Sequence, residues 1–180
     1  PTGRAAKVIS SKVNSSETKA STIHSAIYSY DELLEIKAEK GVNTNSYKYI
    51  YKIDEKIKDN EVVYIIDEAS MISDQFSEGE FFRFGSGKLL TDLIKYTRCY
   101  DTTLNNKIIF IGDPAQLPPV DMNFSPALDE QFLTETLKLK VESVEMKQIV
   151  RQLNNNSILS SASKIRRCLK IGDIALANKL

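Results

Sequence analysis

Two short, unbroken apolar runs dominate the hydrophobic pattern of this chain. Val62-Val63-Tyr64-Ile65-Ile66 leads into Asp67-Glu68-Ala69-Ser70, and Ile108-Ile109-Phe110-Ile111 leads into Gly112-Asp113-Pro114-Ala115-Gln116. Runs of this length, rich in β-branched residues, predict buried strands of a parallel sheet that end in acidic or polar residues. Elsewhere the spacing lengthens. Leu89, Leu90, Leu93 and Ile94 predict a helix over Leu89–Tyr96, and Ile158 to Ile171 an amphipathic helix stopped by Gly172. Thr2 to Val13 suits a short helix behind a Thr-Gly turn, and Ser21 or Thr22 can cap a helix beginning near Ile23. Asn105-Asn106 predicts a turn into a strand over Lys107–Ile111. Pro126 to Leu137 predicts a helix with Pro near its first turn, and the alternation over Lys138–Glu145 a strand. Gly79 to Gly87 is Phe- and Gly-rich and predicts a loop. Tyr30 to Asn60 is charged and Tyr-rich, an expected insertion with a hairpin around Tyr47–Ile53. Strands alternating with helices give an α/β fold built on a parallel sheet.

Composition narrows the function classes. The 180 residues suit one domain, or most of one. No apolar stretch approaches the length of a membrane span, and the Pro1-Thr2-Gly3-Arg4 start has no signal-peptide core, so a cytoplasmic protein is expected. Cys99 and Cys168 give neither a disulfide framework nor a metal-ligand spacing, and one histidine argues against zinc. Basic and acidic residues balance at 24 each, which excludes binding nucleic acid by bulk charge. Any such contact rests on a few placed groups.

Asp67-Glu68 is the first candidate for chemistry. An acid pair just beyond a buried strand lets Asp67 hold a hydrated Mg²⁺ while Glu68 positions an attacking water, as phosphoryl transfer requires. The alternative is a pair of solvated acids. Gly112-Asp113-Pro114-Ala115-Gln116 brings an amide, Gln116, to the neighbouring strand end, suited to sensing a γ-phosphate. Leu117-Pro118-Pro119-Val120 continues as a stiff extended segment because proline fixes φ. It can couple such a sensor to a nucleic-acid surface or serve as a rigid loop.

Five segments now fall in a telling order: Thr2-Gly3-Arg4-Ala5-Ala6, Thr22-Ile23-His24, Asp67-Glu68-Ala69-Ser70, Gly112 through Val120, and Ile149-Val150-Arg151-Gln152. They resemble motifs Ia, Ib, II, III and IV of superfamily 1 DNA helicases, in the 5′-to-3′ branch that contains the exonuclease V alpha subunit. Relatives acting mainly on RNA tend to carry Gly where Pro118 stands, which tilts the reading toward DNA. The resemblance implies a RecA-like P-loop NTPase core, with residues 1–180 a partial first motor domain (motifs Ia to IV) and 30–60 an insertion. It implies ATP and Mg²⁺, single-stranded DNA, a second motor domain of the same parent chain and, for this branch, a nuclease partner. On matching positions Asp67 would hold the metal, Glu68 would activate water, and Gln116 and Arg151 would contact the γ-phosphate. Thr2, Gly3, Arg4, Thr22 and His24 would touch the single strand, and Pro118 and Pro119 would couple to it. For Arg151 a surface ion pair, and for His24 a structural or solvated role, are the plain alternatives.

The pattern also has gaps. The family's phosphate-binding loop, G-x-x-x-x-G-K-[ST], belongs before motif Ia and is not found in these residues. Gly85-Ser86-Gly87-Lys88 imitates it, but Phe82 and Leu89 stand where Gly and Ser/Thr are needed. It is expected to lead into the Leu89–Tyr96 helix instead. The sheet is therefore expected to lack its phosphate-loop strand beside Lys107–Ile111, and the isolated chain to hydrolyse ATP negligibly. A different P-loop NTPase and a non-catalytic docking module are the competing readings.

Overall fold

The structure, a computed structural model, describes residues 3–13, 20–37, 47–54, 61–146, 148 and 157–171. The chain divides into two compact units, 1–142 and 143–180. In the first, helix α1 (Gly3–Lys12) buries Ala6, and the short helix α2 (Ile23–Ile27) follows. Strands β1 (Tyr28–Lys37) and β2 (Tyr47–Ile53) are antiparallel, so the hairpin expected around Tyr47–Ile53 is present. Strands β3 (Val63–Ile66) and β5 (Lys107–Phe110) pair in parallel, with Val63 opposite Lys107 and Ile66 opposite Phe110. Helix α3 (Leu89–Thr97) lies between them in sequence.

The core explains this arrangement. Leu90, Leu93 and Ile94 of α3 are buried with Ile27, Tyr28, Ala69 and Ile72, and Ile66, Ile108 and Phe110 pack against this cluster. Tyr64 meets Tyr96 of α3 edge-on, with ring centroids 6.1 Å apart. These inward residues occupy alternate positions, as the period of two requires. Asn105 takes a positive φ of 52°, making the expected turn. Asn106 then ties three elements: its side chain accepts from Val62 N at 3.0 Å and donates to Thr97 O at 2.9 Å.

Four expectations need correction. The two apolar runs pair in parallel, yet among the described residues only one face is covered; Ile65, on the other, is 64% exposed. Gly79–Gly87 is not all loop: β4 (Phe82–Phe84) pairs parallel with β2, giving a mixed sheet ordered β1-β2-β4. Its formation depends on a distant partner, so local composition hides it. Pro126–Leu137 is not one helix but a 3₁₀ turn, Pro126–Leu128, and a π turn, Phe132–Thr136. The Asp129 carboxylate accepts from Phe132 N at 2.7 Å and restarts the winding there. Lys138–Glu145 forms no strand; Lys138 turns the chain with φ at 56°. The mixed α/β architecture with parallel segments is compatible with a P-loop NTPase-like fold.

In the second unit, α4 (Ser157–Ile171) matches the expected amphipathic helix, and Gly172 lies outside the described residues. No helix among the described residues is long and apolar enough to cross a membrane.

Candidate nucleotide site

Parallel pairing in register puts the ends of β3 and β5 side by side. Past the last paired residues, Ile111 N donates to Ile66 O at 2.8 Å and Ala69 N donates to Ile111 O at 2.9 Å. Between those two bonds the chain must turn sharply, and Glu68 does so in the left-handed region, φ 56°, ψ 41°. Such a conformation is uncommon for a residue with a side chain and persists only where its surroundings impose it. Here Gly112 supplies part of that imposition. A Cβ at Gly112 would lie 3.0 Å from Ser70 N and 2.9 Å from Leu128 Cδ1. Only a residue without a side chain lets the two strand-end loops approach this closely.

The Asp67 and Glu68 carboxylates are exposed at this edge, while Ala69 and Ser70 are buried beneath them. Across the edge, Asp113 closes a tight turn: its side chain accepts from Ala115 N at 3.0 Å, and its carbonyl accepts from Gln116 N at 3.0 Å. Gln116 is exposed on that turn. Leu117 beyond it is 86% exposed, whereas Pro119 is buried and its carbonyl accepts from Met122 N at 3.1 Å. Asp67, Glu68 and the turn bearing Gln116 are thus brought to one edge. Pro118 and Pro119 anchor the segment that leaves it. Arg151 and Thr2 lie outside the described residues.

Further ties hold this edge, and nothing in the local sequence pattern announces them. Gln75 Nε2 donates to Asp121 O at 3.1 Å, joining the segments that follow each strand. Asp74 accepts from both the amide (2.8 Å) and the hydroxyl (2.7 Å) of Thr91, capping α3 from a remote position. The loop after β3 is therefore pinned at both ends, by β5 and by α3.

Gly85-Ser86-Gly87-Lys88 does lead into α3 as expected, and its polar groups are already occupied. Ser86 N donates to the Asp92 carboxylate, at 3.0 Å to Oδ2, and Asp92 is fully buried. The loop that imitates a phosphate cradle encloses a carboxylate of its own chain.

The residues matched to the single-strand contacts form a second group. An added Cβ at Gly3 would sit 4.0 Å from Thr22 Cγ2, so the starts of α1 and α2 adjoin. Arg4 is exposed. Thr22 is the N-cap expected of it, accepting from Ser25 N at 3.2 Å, so part of its hydrogen-bonding capacity is used by the helix. His24 keeps an exposed edge while its ring packs edge-on against Phe84 at 5.1 Å and tilted against Tyr28 at 5.7 Å. Partial burial lowers its pKa below 6.5. The ring is therefore neutral at pH 7 and can stack or donate one hydrogen bond, but supplies no charge to a phosphate. An NMR titration of its ring nitrogens is expected to give a midpoint below 6.5; a midpoint above would contradict the packing. The folded chain binds this proton less readily than the unfolded chain, so stability falls as pH drops below the ordinary value and is unaffected above it.

Asp67 and Glu68 form no ion pair with the described residues, and no group of three or more His, Cys, Asp or Glu able to hold a metal occurs among them. The donor set fits a hard divalent cation bound by one carboxylate, with phosphate oxygens and water completing its shell. No curated protein and no solved structure matches the chain. A family model described as an AAA domain matches residues 1–122, a span holding both parallel strands, the acid pair and the Gly112–Gln116 turn. The chain therefore belongs to the AAA domain family, among P-loop, helicase-like proteins.

Proposed function

We propose that this chain is the first half of an ATP-driven motor on single-stranded DNA, in the manner of superfamily 1 helicases of the exonuclease V alpha branch. One observation carries the reading: the in-register ends of β3 and β5 present Asp67-Glu68 and the Gln116 turn at a single edge, locked by the Ala69 N to Ile111 O bond. In α/β enzymes ligands bind at the carboxyl ends of parallel strands, and hydrolysis of a phosphoanhydride needs the groups found here. Bound Mg²⁺ would neutralise charge on the phosphates. Asp67 holds that cation, Glu68 orients and deprotonates the attacking water, and Gln116 senses the γ-phosphate from the opposite loop. Arg151 adds a forked guanidinium toward the same phosphate. Gly3, Arg4, Thr22 and His24, with Thr2, contact the strand, and Pro118-Pro119 link it to the Gln116 turn.

ATP turnover by the full-length gene product, with and without single-stranded DNA, tests this reading. Stimulation by DNA supports the motor; turnover indifferent to DNA would leave another P-loop NTPase. The 180 residues alone are expected to show none. They contain no G-x-x-x-x-G-K-[ST] loop, and their one imitation of it is committed to Asp92.

A further inference from the structure

A row of rings crosses the sheet of β1, β2 and β4. Tyr30 on β1 lies 5.3 Å from Tyr51 on β2, and Tyr51 lies 5.9 Å from Phe82 on β4. The register sets Tyr51 opposite Phe84 and Tyr49 opposite Phe82, so the rings of β2 and β4 share one face. At its inner end the row is core: Phe84 stacks on Tyr51 at 4.9 Å and touches Tyr28 at 5.1 Å. At its outer end it is open, with Tyr30 54% and Phe82 46% exposed. Large rings left half in water across three strands are not needed to complete the core.

Three observations say what such a row would take. First, rings alternate with cations along both strands, in Lys48-Tyr49, Tyr51-Lys52 and Phe82-Arg83-Phe84. Cations therefore border the ring face, as a phosphate backbone lying along its margin requires. Second, Glu35 stands opposite Tyr49 and places a carboxylate at the far end, which bounds the platform there. Third, the row is continuous with the candidate strand contacts, since His24 packs on Phe84 one turn from Thr22, and Thr22 adjoins Gly3.

We propose that Tyr30, Tyr51 and Phe82 form a stacking platform for unpaired bases of the strand whose backbone passes Gly3, Arg4 and Thr22. This rests on the motor reading for the presence of a strand, and adds the contact made with its bases. Aromatic faces stack with any base, so the platform holds a moving strand without reading its sequence.

The test is fluorescence anisotropy of the full-length protein with labelled oligothymidylate of about 12 nucleotides, beside an abasic strand of equal length. Tyr30→Ala and Phe82→Ala are each expected to weaken oligothymidylate binding about fivefold or more, while Tyr30→Phe and Phe82→Tyr retain it. On the abasic strand all four should match the wild type. Equal binding of oligothymidylate by wild type and both alanine variants overturns the platform. If Arg4→Ala still weakens binding in that case, the motor reading survives without it. Absence of any oligothymidylate binding also overturns the platform and leaves the motor reading to DNA-stimulated turnover. Dissociation of an oligomer by Tyr30→Ala, with binding unchanged, would make the row a protein interface instead. Both outer rings are half exposed, so the variants should fold; if melting shows otherwise, leucine at each position keeps the bulk and removes the π face.

Discussion

Asp92→Ala is expected to cost the first unit about 3–5 kcal/mol, a large share of the stability of a domain this size. Asp92 is fully buried in α3 and joins three segments. It accepts from the hydroxyl of Tyr28, the first residue of β1, at 2.7 Å, and from Ser86 N beyond β4. Removing the carboxylate leaves both donors buried without an acceptor, at about 1–3 kcal/mol each, and opens a small cavity. Gly85→Ala should be comparably damaging for a different reason. Its φ of +47° disfavours a side chain, and the added Cβ would lie 2.2 Å from Asp92 Oδ2. Urea unfolding of the two variants reads both effects, and a change under half a kcal/mol in Asp92→Ala would show that the joint does not hold the unit together. Burial and the Asp92 carboxylate also push the Tyr28 pKa well above its ordinary 10.0. The stability linked to its proton is complete below that value and is lost as pH rises beyond it, so Tyr28→Phe should flatten the alkaline limb.

That joint was invisible in the sequence, and the reason is general. An acid on one face of a helix reads as solvated, and only the fold reveals that Tyr28 and Ser86 converge on it from far along the chain. β4 was hidden similarly, since Phe82-Arg83-Phe84 is three residues between glycines and becomes a strand through pairing with β2. By contrast, α3, the two apolar strands and the Thr22 cap were legible, because each is set by spacing or by a hydrogen bond within a few residues. Apolar content alone misled on burial: Val62–Ile66 and Ile108–Ile111 suggest cover on both faces, yet Ile65 and Ile109 remain exposed among the described residues. The candidate site divides the same way. Asp67-Glu68 and Gln116 could be named from motif order, whereas the left-handed Glu68, the Gly112 contact and the Gln75–Asp121 tie required the strands to be paired first.

Glu68→Gln in the full-length protein is expected to reduce DNA-stimulated ATP turnover about 10²- to 10⁴-fold, the usual worth of a general base. The substitution is nearly isosteric and removes one charge from an exposed side chain. The turn it sits on is held by backbone bonds to Ile111 and by Gly112, none of which involves the carboxylate. Melting temperature should therefore stay within a degree or two of wild type, roughly the shift expected for a change under half a kcal/mol. Nucleotide binding should survive, because Asp67 still holds the cation, while Asp67→Asn should weaken Mg²⁺-dependent binding itself. Stopped-flow binding of a fluorescent ATP analogue, run beside steady-state turnover, separates the two roles. Gln116→Ala should lower turnover with little loss of binding if the amide senses the γ-phosphate from across the edge. Unchanged turnover in Glu68→Gln would mean that the left-handed turn presents this carboxylate to solvent and not to a water poised for attack. The motor reading would then lose its base, and the in-register strand ends would be a scaffold whose chemistry lies elsewhere.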